Sequence, residues 1–274
     1  MTWLDSILLG IVQGITEFLP VSSDGHLVLG KRLLGIQTPG TFWEVALHLG
    51  TLLAIVVVFW KDILRIIAGT AYGLERMRRA GAKTAWQENE DFRLGCYLIL
   101  GTVPVAVVGM IWLNEIENLF NSAWAAAGLL FVNGIMLSLT RLPSRTNPDG
   151  RVNAWDAILI GIAQTAALLP GISRSGMTIS TGLHRGVSRS GAATFSFLLA
   201  VPAILGAAAV NALRIEALPS RDVGPLVAGM LVSALVGYFA LRLLLRIVRR
   251  GRLHWFGYYC LIAGVIALAM LWGK

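Results

Sequence analysis

Gln13 and Glu17 stand four residues apart and therefore share one face of a helix. Pro20, Ser22, Ser23, Asp24, Gly25 and His26 follow directly. Two hydroxyls, a carboxylate and an imidazole within ten residues are the makings of an acid–base or nucleophilic site. The bland alternative is that Glu17 and His26 only satisfy each other. A second cluster runs Pro170, Gly171, Ile172, Ser173, Arg174, Ser175, Gly176, Met177, Thr178. Here a permanent cation, flanked by hydroxyls, begins a helix. Helix N-terminal N–H groups and an arginine fork together suit an anion, most naturally a phosphate. The competing reading has Arg174 neutralise Glu17 or a lipid headgroup.

The two clusters belong to one repeated segment. Residues 5–13 and 156–164 align without a gap at an offset of 151, and in that register Ser22 falls on Ser173, Gly25 on Gly176 and Gly35 on Gly186. The copies diverge at the chemical positions: Glu17 aligns with Leu168, Ser23 with Arg174 and His26 with Met177. Each copy is an apolar helix, a proline-marked break, a polar turn and a second short helix. The first helices, about 3–19 and 155–169, are too short to span a bilayer, and Pro20 and Pro170 interrupt them.

The surroundings are apolar. Hydrophobic residues make up 56% of the 274 and charged residues 14%, against about 25% charged in soluble domains. The net charge of +8 would suggest nucleic acid in a soluble protein, but the basic residues cluster between apolar stretches, so nucleic acid is not an expected partner. Six stretches are predicted to span: 41–60, 92–112, 123–140, 191–213, 223–243 and 254–272. Trp3, Trp43, Trp60, Trp112, Trp124, Trp155, Trp255 and Trp272 lie near span or hairpin ends, as interfacial anchors do. Tyr72–Trp86 reads as a basic surface helix on anionic lipid. Cys96 and Cys260 form no CxxC motif, and the N-terminus lacks the basic flank of a cleavable signal.

Lys/Arg excess assigns loops 61–91, 141–153 and 242–252 to the cytoplasm, and loops 113–122 and 214–222 outside. Both termini then lie outside, although Lys31 and Arg32 oppose this. Irregular backbone at membrane depth must be buried in protein or line a wet cavity. The expected fold is therefore an all-α polytopic membrane protein: six transmembrane helices plus two re-entrant helix hairpins in an inverted repeat. The chain is one integral membrane domain of two units, about 1–150 and 152–274. Such repeats with broken helices also suit a transporter of polyprenyl phosphate or small anions. His48, in a span, reads as a packed histidine; His184 and His254 face the headgroups. The Gly/Ala-rich stretch 191–212 permits close helix packing, within the chain or in a homodimer.

Gln13-x-x-x-Glu17 matches an (E/Q)xxxE motif, and Pro170–Thr178 matches PGxSRSxxT. With Val21–His26, they make the whole chain resemble the undecaprenyl-diphosphatase, or bacitracin-resistance, family. The resemblance implies hydrolysis of undecaprenyl diphosphate to the monophosphate in a bacterial inner membrane, with a divalent cation, Mg²⁺ or Ca²⁺. It recycles the lipid carrier of cell-wall synthesis, with the site facing outward. It implies Glu17, His26, Arg174 and Ser23 as catalytic residues, with Glu17 on the metal. Gln13, Ser22, Ser173, Ser175, Gly176 and Thr178 are implied to bind phosphate. Gln13 stands where many relatives have glutamate, which leaves Glu17 as the charged ligand. The nucleophile stays open between His26, Ser23 and water. Acid-phosphatase-like lipid phosphatases share a Ser-Gly-His turn, but their other signatures are absent.

Overall fold

The computed structural model describes residues 1–36, 42–142, 150–213 and 220–272. Among them are twelve α-helices: α1 (Trp3–Phe18), α2 (Ser23–Leu34), α3 (Phe42–Ala80), α4 (Ala82–Glu88), α5 (Glu90–Ile111), α6 (Leu113–Phe120), α7 (Ala123–Ser138), α8 (Ala154–Ala166), α9 (Arg174–His184), α10 (Arg189–Ala212), α11 (Ser220–Arg249) and α12 (His254–Trp272). A short 3₁₀ turn, Leu139–Arg141, extends α7. Six helices are long and apolar enough to cross a membrane: α3, α5, α7 with its extension, α10, α11 and α12. The protein is an all-helical multi-pass membrane protein. Leu231, Leu235 and Phe239 on α11 and Ile262 and Ile266 on α12 are exposed, as side chains facing lipid should be.

The two short first helices start alike. Thr2 caps α1 and Asn153 caps α8, each accepting from the N–H three residues on, and Asp5 and Asp156 return the bond to the cap. Both helices lie tight against a long neighbour: α1 on α11 and α8 on α5. Glycine makes this possible. A Cβ on Gly10 would sit 2.6 Å from the Gly229 carbonyl oxygen, and one on Gly161 would sit 2.3 Å from that of Gly101. Between α7 and α12 the close approach is mutual: Gly134 meets Leu261, and Gly264 meets Phe131. Phe18, Phe59 and Phe197 pack edge-on and stacked in the largest buried cluster, so α1, α3 and α10 meet directly behind Glu17.

Three expectations are corrected. The span expected at 41–60 continues as one helix to Ala80, kinked at Phe59 (φ −108°, ψ 19°). Residues 72–80 therefore end α3 rather than belonging to a separate surface helix; only 82–88 form α4. The extension holds because Gly69 and Gly73 let Asp91 and Phe92 of α5 close on it, and Arg76 bonds Glu88 at 3.0 Å. The external loop 113–122 is largely helical, as α6. Much of the expected loops 141–153 and 214–222 lies outside the described residues. In α10, Ala192, Ala193, Ser196, Leu199 and Ala200 are buried within the chain, so this half of its small-residue stretch serves intramolecular packing.

Candidate active site

The two breaks are built the same way and touch. α1 stops at Phe18; Leu19 is extended, and Ser22 takes a left-handed φ of 67° before α2 begins. Few non-glycine residues adopt this conformation, and Ser22 is held there from several sides. Its Oγ accepts from Gly25 N (3.2 Å) and Gly171 N (3.1 Å), and its carbonyl accepts from the His26 ring (2.8 Å). In the second break, Gly171 has φ 112°, and Ser173 caps α9 by accepting from Gly176 N at 3.1 Å. A Cβ on Gly25 would meet the Gly171 Cα at 3.0 Å.

Asn133 of α7, fully buried, ties the breaks together: its Nδ2 donates to Pro20 O (3.1 Å) and its Oδ1 accepts from Ser173 N (3.0 Å). Ser175 Oγ adds a bond to Phe18 O at 2.9 Å.

This frame brings four of the sequence-predicted residues together. Glu17, 7% exposed, accepts from Ser23 Oγ at 2.6 Å and from Gln13 Nε2 at 3.0 Å, both on Oε2. Its other oxygen, Oε1, pairs with Arg174 Nη2. Both readings of Arg174 therefore converge, because its second terminal nitrogen, Nη1, is buried with no partner among the described residues. One fork position holds Glu17 while the other remains a donor. The remaining candidates are engaged elsewhere. Ser22 and Ser173 accept as caps, and Gly176 N–H is taken by Ser173. Ser175 bonds the first break. Thr178 Oγ1 donates to Arg174 O (2.7 Å) and meets Ser196 Oγ (2.5 Å). These side chains hold the turns in shape; of them, only Ser173 also lines the cavity described below.

His26 is not among the cluster. Its Nδ1 donates to the Ser22 carbonyl, so its Nε2, in the neutral ring, accepts from Tyr259 Oη at 2.8 Å, and the two rings stack. It lines a separate, mostly apolar groove beside α12. Among the described residues the pairing of Glu17 with His26 does not form; His26 clamps Ser22 instead.

Sequence reasoning assigned no site role to three residues of the cluster. His48 projects from α3 with Nε2 at 3.2 Å from Glu17 Oε2 and 3.7 Å from Asp24 Oδ1, while its Nδ1 donates to Glu44 O at 2.7 Å. Asp24 and Gln164 line the same cavity. Only the repeat, which aligns Gln164 with Gln13, could have flagged Gln164.

A cavity of about 250 Å³ opens over this cluster. Glu17, Ser23, Asp24, Glu44, His48, Glu117, Gln164, Ser173, Arg174 and Asn211 form its polar part. Its walls are apolar side chains, Val45, Val105, Ile172 and Ile204 among them, with α6 contributing Leu113, Ile116 and Phe120. Such a chamber suits a ligand with an anionic head and a hydrocarbon tail.

The family model for the bacitracin resistance protein BacA matches residues 6–266. The chain belongs to the BacA family. Among its relatives, the undecaprenyl-diphosphatase of Salinibacter ruber is 38% identical over 99% of this chain and all of its own length. That of Desulfosudis oleivorans is 41% identical over 97% of each chain. That of Geobacter sulfurreducens is 40% identical over the full length of both. The resemblance read from the two motifs is therefore a BacA-family relationship over nearly the whole chain.

Proposed function

We propose that the chain hydrolyses undecaprenyl diphosphate to undecaprenyl phosphate and inorganic phosphate. The observation that carries this reading is the convergence of Ser23, Glu17 and Arg174, from two separate breaks, on one cavity with apolar walls. Full-length kinship with undecaprenyl-diphosphatases supports hydrolysis over transport.

Ser23 is the nucleophile in this mechanism. Its Oγ attacks the terminal phosphorus, and its proton passes to Glu17 Oε2, on which it already rests. The bond from phosphorus to the bridging oxygen breaks, and undecaprenyl phosphate leaves with that electron pair. Water then attacks the phosphoserine. The P–Oγ bond breaks, Glu17 returns its proton to Ser23, one proton of water stays on phosphate and the other goes to solvent. Arg174 Nη1 supplies charge-assisted donation to the phosphoryl oxygens. His48 and Gln13 hold Glu17 in place. His26 acts as a positioning residue: it clamps the Ser22 carbonyl and so fixes the backbone that presents Ser23.

A Mg²⁺ or Ca²⁺ ion fits the donor set. Hard cations at phosphate sites are held by one or two carboxylates plus substrate oxygens rather than by a protein cage. Glu17 and Asp24 flank His48 on the cavity, and among the described residues Asp24 meets no ion-pair partner closer than 3.7 Å. Among the described residues no three His, Cys, Asp or Glu side chains converge as a cage. When bound, the ion would neutralise diphosphate charge and ease departure of the leaving group.

The paired contacts support an inverted repeat. Gly10 on Gly229 corresponds to Gly161 on Gly101, and Gly134 on Leu261 corresponds to Gly264 on Phe131. In this arrangement α1–α2 and α8–α9 are re-entrant hairpins entering from opposite faces of the bacterial inner membrane. The Lys/Arg-rich loops, read as cytoplasmic, support a reacting end that faces the periplasm.

The test is inorganic phosphate release by the purified protein in detergent, where no compartments exist for transport. Release that depends on added Mg²⁺ or Ca²⁺ and stops with chelator is expected. A folded protein that releases none would overturn the enzyme reading.

A further inference from the structure

Gln164 is 2% exposed, and neither end of its amide has a partner among the described residues: Nε2 and Oε1 are both unpaired. The repeat shows what Gln164 lacks. The equivalent Gln13 donates to Glu17 one helical turn on, at 3.0 Å. One turn beyond Gln164 stands Leu168, which offers no polar atom. Buried amides are almost always satisfied, so an orphan of this kind calls for a partner that the chain does not supply. Gln164 lines the cavity that also holds Glu17, Ser23 and Arg174. The orphaned Nη1 of Arg174 belongs to the same cavity residues.

The missing partner must accept from Nε2 and donate to Oε1. Phosphate oxygens meet the first need, and water meets the second. We propose that Gln164 binds the reacting phosphoryl group through Nε2 and holds through Oε1 the water that hydrolyses phosphoserine 23. Glutamine plays a comparable water-orienting part in phosphoryl transfer by nucleotide hydrolases. This rests on the Ser23 reading above and extends it to the second half-reaction. In that step the water oxygen bonds to phosphorus as the P–Oγ bond breaks, with the proton movements already described. With leucine rather than glutamate at position 168, the amide in the second copy is left for work on the ligand.

Gln164→Leu tests this in the full-length, detergent-solubilised protein, with substrate labelled at its terminal phosphate. Three measurements are needed: labelled phosphoserine after rapid quenching, steady-state phosphate release, and the thermal unfolding midpoint. Phosphoserine formation should slow by no more than about tenfold, for the lost Nε2 donor, and phosphoserine should accumulate, because turnover falls about 100-fold. The midpoint should stay level or rise, because an orphaned polar group has been exchanged for an apolar one. A purely structural glutamine, satisfied by a fixed water, would give a lower midpoint instead.

Turnover within twofold of the parent, parallel loss of phosphoserine formation, or a lowered midpoint would each overturn the proposal. Gln164→Met, closer in length, repeats the comparison if leucine disturbs packing. A parent protein that forms no phosphoserine defeats the Ser23 reading. The water-holding part assigned to Gln164 Oε1 fails with it, and turnover and midpoint then decide only whether Nε2 binds the phosphoryl group.

Discussion

The turn after α1 and the turn after α8 have the same skeleton and opposite contents. In both, a serine caps the following helix through the N–H three residues on, Ser22 with Gly25 and Ser173 with Gly176. In both, the incoming helix begins with a capping box and lies glycine-to-carbonyl against a long neighbour. The reactive side chains do not repeat. The first turn carries Glu17 and Ser23; the second carries Leu168 and Arg174 at the same positions. Backbone hydrogen bonds at membrane depth leave little freedom to change, since every polar group needs a partner. Side chains facing a common cavity are under no such restriction, and there the copies have specialised.

Exchanging residues between the turns tests that division. Arg174→Ser gives the second turn the residue of the first. The cap bond at Ser173 is untouched and Glu17 keeps Gln13, Ser23 and His48, so the protein should fold with a lowered unfolding midpoint, while phosphate release drops by at least about 100-fold with the loss of the phosphoryl donor. Near-parental release would mean the second turn contributes only shape. His26→Met makes the reverse exchange and should act through position alone. One lost clamp on Ser22 corresponds to about a tenfold fall in kcat, with KM little changed. A loss as severe as that of Ser23→Ala would instead give His26 a direct chemical role. The smallest effects probe the shared skeleton. Gly10→Ala and Gly161→Ala should each lower stability by about 1–3 kcal/mol through overpacking, measured by thermal unfolding. Very unequal values would break the equivalence of the two contacts.

What could be read in advance follows the same split. Apolar runs of about 20 residues announce spans on their own, and prolines beside Ser/Gly clusters announce the breaks. The extension of α3 to Ala80 was hidden because its support comes from Asp91 and Phe92 of another helix. His48 looked like a packing residue because nothing near it in sequence reveals that α3 passes Glu17. His26 was misdirected by nearness in sequence: it stands within ten residues of Glu17, but its ring turns to the Ser22 carbonyl and to Tyr259 of α12. Asn133 sits in an otherwise apolar stretch of α7 and shows its use only when both turns are in view.

That asparagine also sets an order of events. Its Nδ2 partner, Pro20, lies earlier in the chain, whereas its Oδ1 partner, Ser173, emerges from the ribosome forty residues later. A nascent chain that ends before Ser173 carries the serine and the glutamate but has an open amide and no arginine. The site is therefore incomplete throughout insertion and is assembled only when the second turn docks.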